Sequence, residues 1–405
     1  MPSLVHHLHL LPLLSRWPYI LLVRLLAIVV GLITMAAAVL LVRIVVWVWP
    51  KLPPPVRKAL TAAFVVFLVW LGNAWVEGPN FNKYYEGVVI SAGIYVVLAV
   101  ALNIVNGFTG QFSLGHIGFY AVGAYVAVAL STYGHAKLFP FLPIDGSPVG
   151  IVQGAYPILV TCLAGGLAAA AVGFVVGLPS LRLRGDYLAI ITLGFAQIIQ
   201  VVIRNIPAID GQTSFNGITR GGVTINTPHL TNFFWVFLCV AIVLWVAYGL
   251  RFSTHGLAFL AVREDEVAAE AMGINTTRYK VTAFVLSAFF TGVAGALFGH
   301  YQSSLSNEQF SFVRSIDVVV MVVLGGLGSI SGVALAAVLL TVLPEALRAL
   351  EQYRLVVYPL LLIVLMLTRP QGIFGQDEIG RTWLQGQFNA VRGLRKKKDR
   401  QESMV

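Results

Sequence analysis

The feature that most constrains this chain is a series of apolar runs, each close to the length that crosses a bilayer. A transmembrane helix needs about 20 apolar residues, and nine runs meet or approach this: residues 21–42, 59–76, 88–105, 113–131, 156–178, 187–204, 233–250, 281–301 and 355–368. Of the 405 residues, 58% are hydrophobic and 11% are charged, whereas soluble domains have about 25% charged residues. The sequence therefore predicts an all-α, polytopic membrane helical bundle with about nine full spans.

A further apolar stretch, residues 317–343, is interrupted at residues 325–332 by Gly-Gly-Leu-Gly-Ser-Ile-Ser-Gly. Each flank has about 11 residues, or ~16 Å of helix, which is half of the hydrocarbon core. The stretch is therefore either one broken span or a re-entrant hairpin of two half-helices.

Charge distinguishes these two topologies. The hairpin puts most of the 27 Lys and Arg residues on the side of residues 263–273, whereas a single crossing puts fewer than half there. Because cytoplasmic loops are enriched in positive charge, we predict the hairpin, an outer N-terminus and a cytoplasmic C-terminus. The formal charge of +10 lies in short loops and one tail, which indicates membrane topology and not nucleic-acid binding.

The most polar segment between two apolar runs is residues 263–273, Arg-Glu-Asp-Glu-Val-Ala-Ala-Glu-Ala-Met-Gly, here called the acid-rich segment. It holds four of the 17 acidic residues. A carboxylate at the bilayer centre costs about 2.5–3.5 kcal/mol on insertion scales, so this segment must lie in water. We predict a helix of about three turns, ended by Gly273, that a soluble partner contacts. The alternative is a solvated loop that only joins two spans.

The sequence has none of the short motifs that organise covalent chemistry. Gly-x-Ser-x-Gly, His-Glu-x-x-His and Gly-Lys-Ser/Thr do not occur. His116 and His300 are isolated in apolar runs, where a packing role is more common than ligation. Asp317 lies at the end of its run and not at the centre, where proton-coupled carriers commonly place a carboxylate. We therefore expect no enzyme activity, no cofactor or metal in this chain, and an external energy source.

Four motifs carry a resemblance to a known family: residues 110–125 (Gly-Gln-Phe-Ser-Leu-Gly-His-Ile-Gly-Phe-Tyr-Ala-Val-Gly-Ala-Tyr), 181–190 (Leu-Arg-Leu-Arg-Gly-Asp-Tyr-Leu-Ala-Ile), 324–329 (Leu-Gly-Gly-Leu-Gly-Ser) and 369–372 (Arg-Pro-Gln-Gly). Over residues 85–375 the chain resembles the permeases of branched-chain amino acid ABC transporters, the LivH/LivM family, and within it the LivM-type subunit. The resemblance implies a multi-pass protein of the bacterial inner membrane that translocates branched-chain or related amino acids by alternating access. It also implies a second, LivH-type permease, two ATP-binding subunits that bind the ATP, and a periplasmic amino-acid-binding protein as partners.

The resemblance also implies roles for two sets of residues. Importer membrane subunits contact their ATPases through a loop like the acid-rich segment, and its coupling residues are expected to be Arg263, Glu264, Asp265, Glu266, Ala269, Glu270, Ala271, Met272 and Gly273. The candidates for the translocation path are Gln111, Ser113, His116, Gln197, Gln200, Gly325 and Gly326. Gln197 and Gln200 lie one turn apart, so they either hydrogen-bond another helix or line a path at the interface between two permeases.

The expected organisation has three parts. Residues 1–76 form a variable region with one or two extra spans, residues 77–375 form the permease core with a coupling helix at about 260–278, and residues 376–405 form a basic cytoplasmic tail on anionic lipid. The loop at 210–218 departs from the family pattern, so permeases for urea, short amides or other amino acids stay open as alternatives. An ion-coupled transporter and a membrane enzyme are disfavoured by the missing carboxylates and nucleophiles.

Overall fold

The structure is a computed structural model that describes residues 54–76, 82–143, 145–180, 186–206, 215, 217–220, 223–347, 359, 360, 363, 367 and 372. The chain divides into two units, Met1–Phe67 and Leu68–Val405. Helix α1 (Pro54–Val76) contains the described part of the first unit. The predicted run 21–42, the tail 376–405 and most of the run 355–368 lie outside the described residues.

The second unit is built almost entirely of helices. In chain order these are α2 (Lys83–Asn103) with a π-helical continuation (Ile104–Phe108), α3 (His116–Tyr133), α4 (His135–Leu138), α5 (Ile151–Ser180), α6 (Asp186–Arg204), α7 (Phe233–Arg251), α8 (Thr254–Glu264), α9 (Glu266–Ala271), α10 (Thr276–Gln302), a 3-10 turn (Asn307–Phe310), α11 (Phe312–Gly325) and α12 (Ile330–Ala346). A small antiparallel hairpin of β1 (Gly217–Arg220) and β2 (Val223–Asn226) is the exception. The all-α class is confirmed.

Five of the described helices are long and apolar enough to cross a membrane: Lys83–Phe108, Ile151–Ser180, Tyr187–Arg204, Phe233–Arg251 and Thr276–Gln302. They coincide with five of the nine predicted runs. Helix α3 covers most of the run 113–131, and α1 covers the run 59–76, although neither is among these five. The count of nine spans therefore stays a prediction, while the multi-pass membrane architecture holds.

Helices α3, α5 and α10 pack against one another around three glycines, which we call the glycine block: Gly123, Gly165 and Gly292. A Cβ on Gly165 would lie 2.7 Å from the Gly123 carbonyl oxygen, and one on Gly123 would collide with the Gly292 backbone. A Cβ on Gly292 would in turn lie 2.6 Å from the Gly165 carbonyl oxygen. Close backbone approach of this kind is how helices associate in lipid, where burial of apolar surface between helices gives little.

The interrupted stretch at 317–343 forms two helices, α11 and α12, that contact each other and α2. The break lies where the glycines predict it, with φ of 101° at Gly326 and 90° at Gly328. The flanks are longer than the expected half-helices, at 14 and 17 residues, or about 21 and 26 Å. The expected length was wrong because α11 begins at Phe312, before Asp317, and α12 runs from Ile330 to Ala346, so both helices extend beyond the apolar flanks. Arg314, inside α11, donates a hydrogen bond to the Tyr95 hydroxyl.

At the C-terminal ends of α3 and α10 the loops bind one another through their backbones. Phe215 and Leu305 exchange N–H···O bonds of 2.8 and 3.0 Å. The Thr231 hydroxyl donates to the Leu297 carbonyl oxygen at 2.8 Å. Burial lowers the pKa of His229 in this layer, so its imidazole is neutral at pH 7. This end of the molecule is therefore joined mainly by uncharged contacts.

Candidate functional site: the acid-rich segment and its junction with the spans

The acid-rich segment is not one helix. Helix α8 ends at Glu264 and α9 begins at Glu266, with Asp265 extended between them at φ −154° and ψ 112°. One Asp265 carboxylate oxygen accepts the N–H groups of Val267 at 2.9 Å and Ala268 at 3.1 Å, and so caps α9. The prediction of one helix of about three turns was therefore wrong. An aspartate that bonds nearby backbone N–H groups interrupts a helix without changing its apolar pattern.

Helix α9 ends at Ala271, and Gly273, the residue predicted to stop the helix, follows two positions later with a φ of +84°. The Gly273 N–H donates to the Glu270 carbonyl oxygen at 2.9 Å, and the Ile274 N–H donates to the Ala269 carbonyl oxygen at 3.0 Å. These two bonds form a Schellman motif, in which positive φ favours glycine. Asn275 then caps the start of α10. The return of the chain toward the spans is therefore fixed by local bonds.

The acidic side chains bind mainly within the chain. Glu266 forms an ion pair with Lys280, whose side chain is 7% exposed. The Thr276 hydroxyl donates to a Glu270 carboxylate oxygen at 2.6 Å. Glu264 is exposed. The carboxylates at 266 and 270 therefore hold α9 against α10, which leaves less charge for a partner than the sequence indicated.

An exposed apolar surface lies on α9 and its C-terminus. Val267 is 63% exposed and Met272 is 83% exposed. Ala268 and Ala271 are exposed beside them, whereas Ala269 is buried within the chain. These residues form a small apolar surface on a short helix outside the five long apolar helices.

Two arginines connect this region to the backbone of the spans. The Arg263 guanidinium donates to the Gly107 carbonyl oxygen at 2.8 Å. Arg251, the last residue of α7, donates to the Gly328 carbonyl oxygen between α11 and α12. Gly110 lies against the Arg263 stem, since a Cβ there would be 3.0 Å from Arg263 Cγ. The Arg263 side chain therefore packs against other residues of the same chain.

The turn between α11 and α12 lies against the end of α2. The Asn103 side chain donates to the Ser329 carbonyl oxygen at 3.2 Å and accepts from the Gly328 N–H at 2.9 Å. A Cβ on Gly107 would lie 2.5 Å from the Gly328 nitrogen, so glycine is required there by space. We call the residues that meet at this place the inner junction: Asn103, Gly107, Arg251, Arg263 and Gly328.

Two predicted path residues, Gly325 and Gly326, lie beside this junction and are buried. A Cβ on Gly325 would lie 2.6 Å from the Val333 nitrogen, which shows how tightly α11 and α12 meet. Gly372 reaches the same place, because a Cβ there would lie 2.6 Å from Gly326 Cα. The motif 369–372 therefore ends at the inner junction.

Ser113 and His116 are buried in the structure. One ring nitrogen of His116 bonds the Ser113 hydroxyl at 3.0 Å, and the other bonds the Ser287 hydroxyl of α10 at 2.7 Å. The Ser113 N–H donates to the Asn106 side-chain oxygen at 3.2 Å. With both ring nitrogens bonded, His116 joins α3 to α10, and this geometry favours the packing interpretation.

Residues 84–367 match the family described as branched-chain amino acid transport system / permease component. The chain belongs to this family. It is 37% identical over 354 residues to the high-affinity branched-chain amino acid transport system permease protein LivM of Salmonella typhimurium, which covers 80% of this chain and 78% of that protein. LivM of Escherichia coli is also 37% identical, over 357 residues, with the same coverage. LivH of Escherichia coli is 26% identical over 320 residues, or 74% of this chain and 96% of that protein. No solved structure matches the chain. The resemblance seen in the motifs is confirmed.

The three glutamines predicted for the path of this permease have different surroundings. Gln111 is buried, and neither polar atom of its side chain has a hydrogen-bond partner among the described residues. Gln200 donates to the Phe310 carbonyl oxygen, which is the helix-joining role. Gln197 is exposed on α6. Gln197 and Gln200, one turn apart in the sequence, therefore do not act together: Gln200 bonds within the chain and Gln197 is exposed.

Sequence reasoning missed three residues that organise the site. Arg251 and Lys280 were counted only among the Lys and Arg residues that set the topology, and Asn103 received no specific role. Arg251 is the last residue of its span, where an arginine can donate to the carbonyl oxygens at a break between two neighbouring helices. Its position was therefore a weak indication of this role. The partners of Arg263 and Asn103 lie 156 and 225 residues away, which no local pattern reveals.

Proposed function

We propose that this permease is a membrane subunit of an ATP-binding-cassette importer that moves branched-chain amino acids across the bacterial inner membrane by alternating access. The observation that carries the proposal is the link from an exposed apolar surface on α9, through the adjoining α8 and its Arg263, to the backbone of the π-helical continuation of α2. An ATPase that moves α9 and α8 together would pull on the end of a span, because charge-assisted hydrogen bonds are the strong ones.

The proposed partners are a second, LivH-type permease, two ATP-binding subunits and a periplasmic amino-acid-binding protein. The apolar pair Val267 and Met272, with Glu264 beside it, is the surface proposed to dock on an ATPase. The loop layer around Phe215 and Leu305, at the opposite ends of α3 and α10, is proposed to face the binding protein. ATP is bound by the partner subunits and not by this chain.

The proposed orientation puts the inner junction, the acid-rich segment and the C-terminal tail in the cytoplasm. The contact of Gly372 with Gly326 supports it, because Gly372 then lies at the same end as Arg263. It agrees with α11 and α12 forming a hairpin whose tip lies at that end. A cysteine-accessibility scan tests this: residues 395–398 should react only with reagents that enter the cytoplasm. Labelling from the outside would contradict the hairpin topology.

For the translocation path, Gln111 is the strongest of the proposed residues. Its amide is buried and has no partner among the described residues, and an unsatisfied buried amide costs about 1–3 kcal/mol unless a ligand or water binds it. Ser113, His116 and Gln200 have internal partners and are proposed to position the helices that border the path.

The decisive experiment is reconstitution of the complete transporter in proteoliposomes. We expect uptake of leucine, isoleucine and valine that requires ATP, both ATPase subunits, the second permease and the binding protein. The purified chain alone should neither bind nor hydrolyse ATP. ATP turnover by the isolated chain would contradict the permease assignment. Uptake of urea or short amides in place of branched-chain amino acids would keep the transport mechanism but reject the proposed substrate.

A further inference from the structure

Helix α6 has an exposed face with a regular spacing. The residues Tyr187, Ile190, Gly194, Gln197 and Val201 are all exposed and are separated by three, four, three and four positions. This spacing places the five residues on one side of the helix. We call these five residues the α6 face.

Gln197 is the polar residue at the centre of this face. It is the twelfth residue of α6, about 17 Å from the start of the helix, which corresponds to the middle of a ~30 Å hydrocarbon core. Its side chain is exposed and forms no hydrogen bond with the described residues. An amide in contact with lipid tails loses the hydrogen bonds that it makes in water, and polar residues at this depth usually face protein. The position of Gln197 therefore points to a protein neighbour.

Gly194, one turn before Gln197, gives an independent indication. No heavy atom lies within 4 Å of a Cβ built on this glycine, so nothing inside the chain requires a small residue there. In membrane helices, small residues at an interface let the two backbones approach closely. The α6 face thus combines a small residue and an amide, the two residue kinds that are enriched where membrane helices meet.

Two other exposed helix faces show what a lipid-facing surface of this permease looks like. On α5 the exposed positions include Leu159, Leu163, Leu167 and Phe174, and every exposed residue from 159 to 178 is apolar. On α7 the exposed residues are Ile242, Trp245, Tyr248 and Gly249, with Trp245 at 74% exposure. Neither face has an exposed amide or charged side chain at this depth, whereas the α6 face has Gln197.

A groove beside the α6 face offers room for side chains of a neighbour. Its volume is about 370 Å³, and it lies between α3, α5 and α6. The hydroxyl of Tyr125, which lines it, is buried and has no partner among the described residues. The other lining residues are apolar: Val122, Val126, Ala129, Val172, Ile198, Ile199, Val202, Ile203 and Ile206.

We propose that the α6 face is the surface on which the second permease subunit packs. This inference rests on the proposed function, which requires such a subunit. The chain is similar to both LivM and LivH, so the partner is expected to share its fold. Two homologous chains meet about a pseudo-twofold axis, which sets the corresponding helices against each other. A helix of the partner then lies along the α6 face, with a polar group opposite Gln197 and an apolar side chain in the groove.

The test compares two glycine substitutions. Gly194→Leu adds a large side chain on the α6 face, and Gly249→Leu adds the same side chain on α7, where a Cβ likewise meets nothing within 4 Å. Each variant is co-expressed with the second permease, and the partner that co-purifies with it is measured. We expect Gly194→Leu to reduce the complex about tenfold or more, and Gly249→Leu to leave it unchanged. Gln197→Leu should reduce it about threefold, which matches the mean strength of hydrogen bonds between membrane helices.

Cross-linking supplies a measurement that does not depend on a disruptive substitution. In a chain with Cys162 and Cys239 replaced by alanine, Gln197→Cys should cross-link to the second permease, and Leu163→Cys on α5 should not. Normal assembly of Gly194→Leu, or equal loss in both glycine variants, would overturn the inference about α6. A cysteine at 197 that reacts only with lipid-soluble reagents would overturn it as well. A wild-type chain that carries no second permease would instead refute the proposed function.

Discussion

The glycine block and the inner junction join helices by opposite means. In the block, Gly123, Gly165 and Gly292 bring three backbones into contact with no side chain between them. In the junction, two arginine side chains donate to backbone carbonyl oxygens, one in the π-helical continuation of α2 and one in the turn between α11 and α12. Lipid tails cannot replace the van der Waals contacts between the three backbones of the glycine block. The hydrogen bonds of the inner junction, close to the end of the spans, can be exchanged for hydrogen bonds to water when the parts move.

This difference separates the glycine block, which keeps its shape, from the inner junction, which can change its shape. Helices α3, α5 and α10 are expected to move as one rigid body. The turn between α11 and α12 is held to α7 by Arg251 and to α2 by Asn103, and Arg263 of α8 bonds the π-helical continuation of α2 beside it, so this junction can shift when α8 and α9 are displaced. Alternating access needs both properties, and the following substitutions probe each part of this comparison in order of expected effect.

The largest effect is expected for Gly292→Leu in the glycine block. The new side chain would overlap the Gly165 carbonyl oxygen and Ala169, neither of which can move without separating α5 from α10. We expect a loss of about 3 kcal/mol in stability, seen as reduced yield and a lower melting temperature in detergent. Gly249→Leu on the open face of α7 is the matched control. Similar melting temperatures for the two variants would show that the block is not rigid.

The next effect is expected for Arg263→Ala at the inner junction. It removes the hydrogen bond to the Gly107 carbonyl oxygen, a charge-assisted bond of the class worth about 1.5–3 kcal/mol. The chain should insert and assemble normally, while ATP-driven uptake falls about tenfold relative to ATP hydrolysis. Arg263→Lys keeps the charge with a shorter reach and should retain part of the uptake. If the ratio of uptake to ATP hydrolysis is unchanged in the alanine variant, the inner junction has no role in coupling.

A smaller effect is expected for Gly273→Val at the end of α9. A β-branched residue at a φ of +84° costs about 1–2 kcal/mol, so the Schellman turn should distort and docking of the ATPases should weaken. Gly273→Asn is the control, because asparagine tolerates positive φ. The measurement is ATPase binding by the purified permease pair. If valine and asparagine bind the ATPases equally well, the geometry of this turn is not important for docking.

The smallest effect is expected for Glu270→Lys on α9. The change removes the hydrogen bond from the Thr276 hydroxyl and reverses one charge near the docking surface, with an effect of about 1 kcal/mol or less on partner binding. Glu264→Lys reverses an exposed charge and separates electrostatics from packing. If Glu264→Lys weakens ATPase binding more than Glu270→Lys does, docking depends on the surface charge and not on the orientation of α9 against α10.

The sequence predicted those features that follow from local rules. Apolar runs located the five long helices, and glycines correctly marked the break after Gly325 and the turn at Gly273. It failed at Asp265, because one side chain competing for backbone N–H groups outweighs a continuous helical pattern. It also failed at Arg263 and Arg251, whose acceptors are carbonyl groups distant in the sequence. The length of the hairpin was underestimated because the apolar stretch was taken to begin at Asp317, whereas α11 begins at Phe312 and includes Arg314, which donates to the Tyr95 hydroxyl.

The arginine contacts of the inner junction end on main-chain oxygens, and every residue type supplies such an oxygen. A substitution at position 107 or 328 therefore cannot be compensated by a matched change of arginine. Pairs of this kind leave no correlated changes between two positions, even though they join parts of the chain that lie 156 and 77 residues apart. Methods that infer contacts from co-variation would overlook the connection between the acid-rich segment and the spans. In this permease that connection has to be found by structure and by mutation.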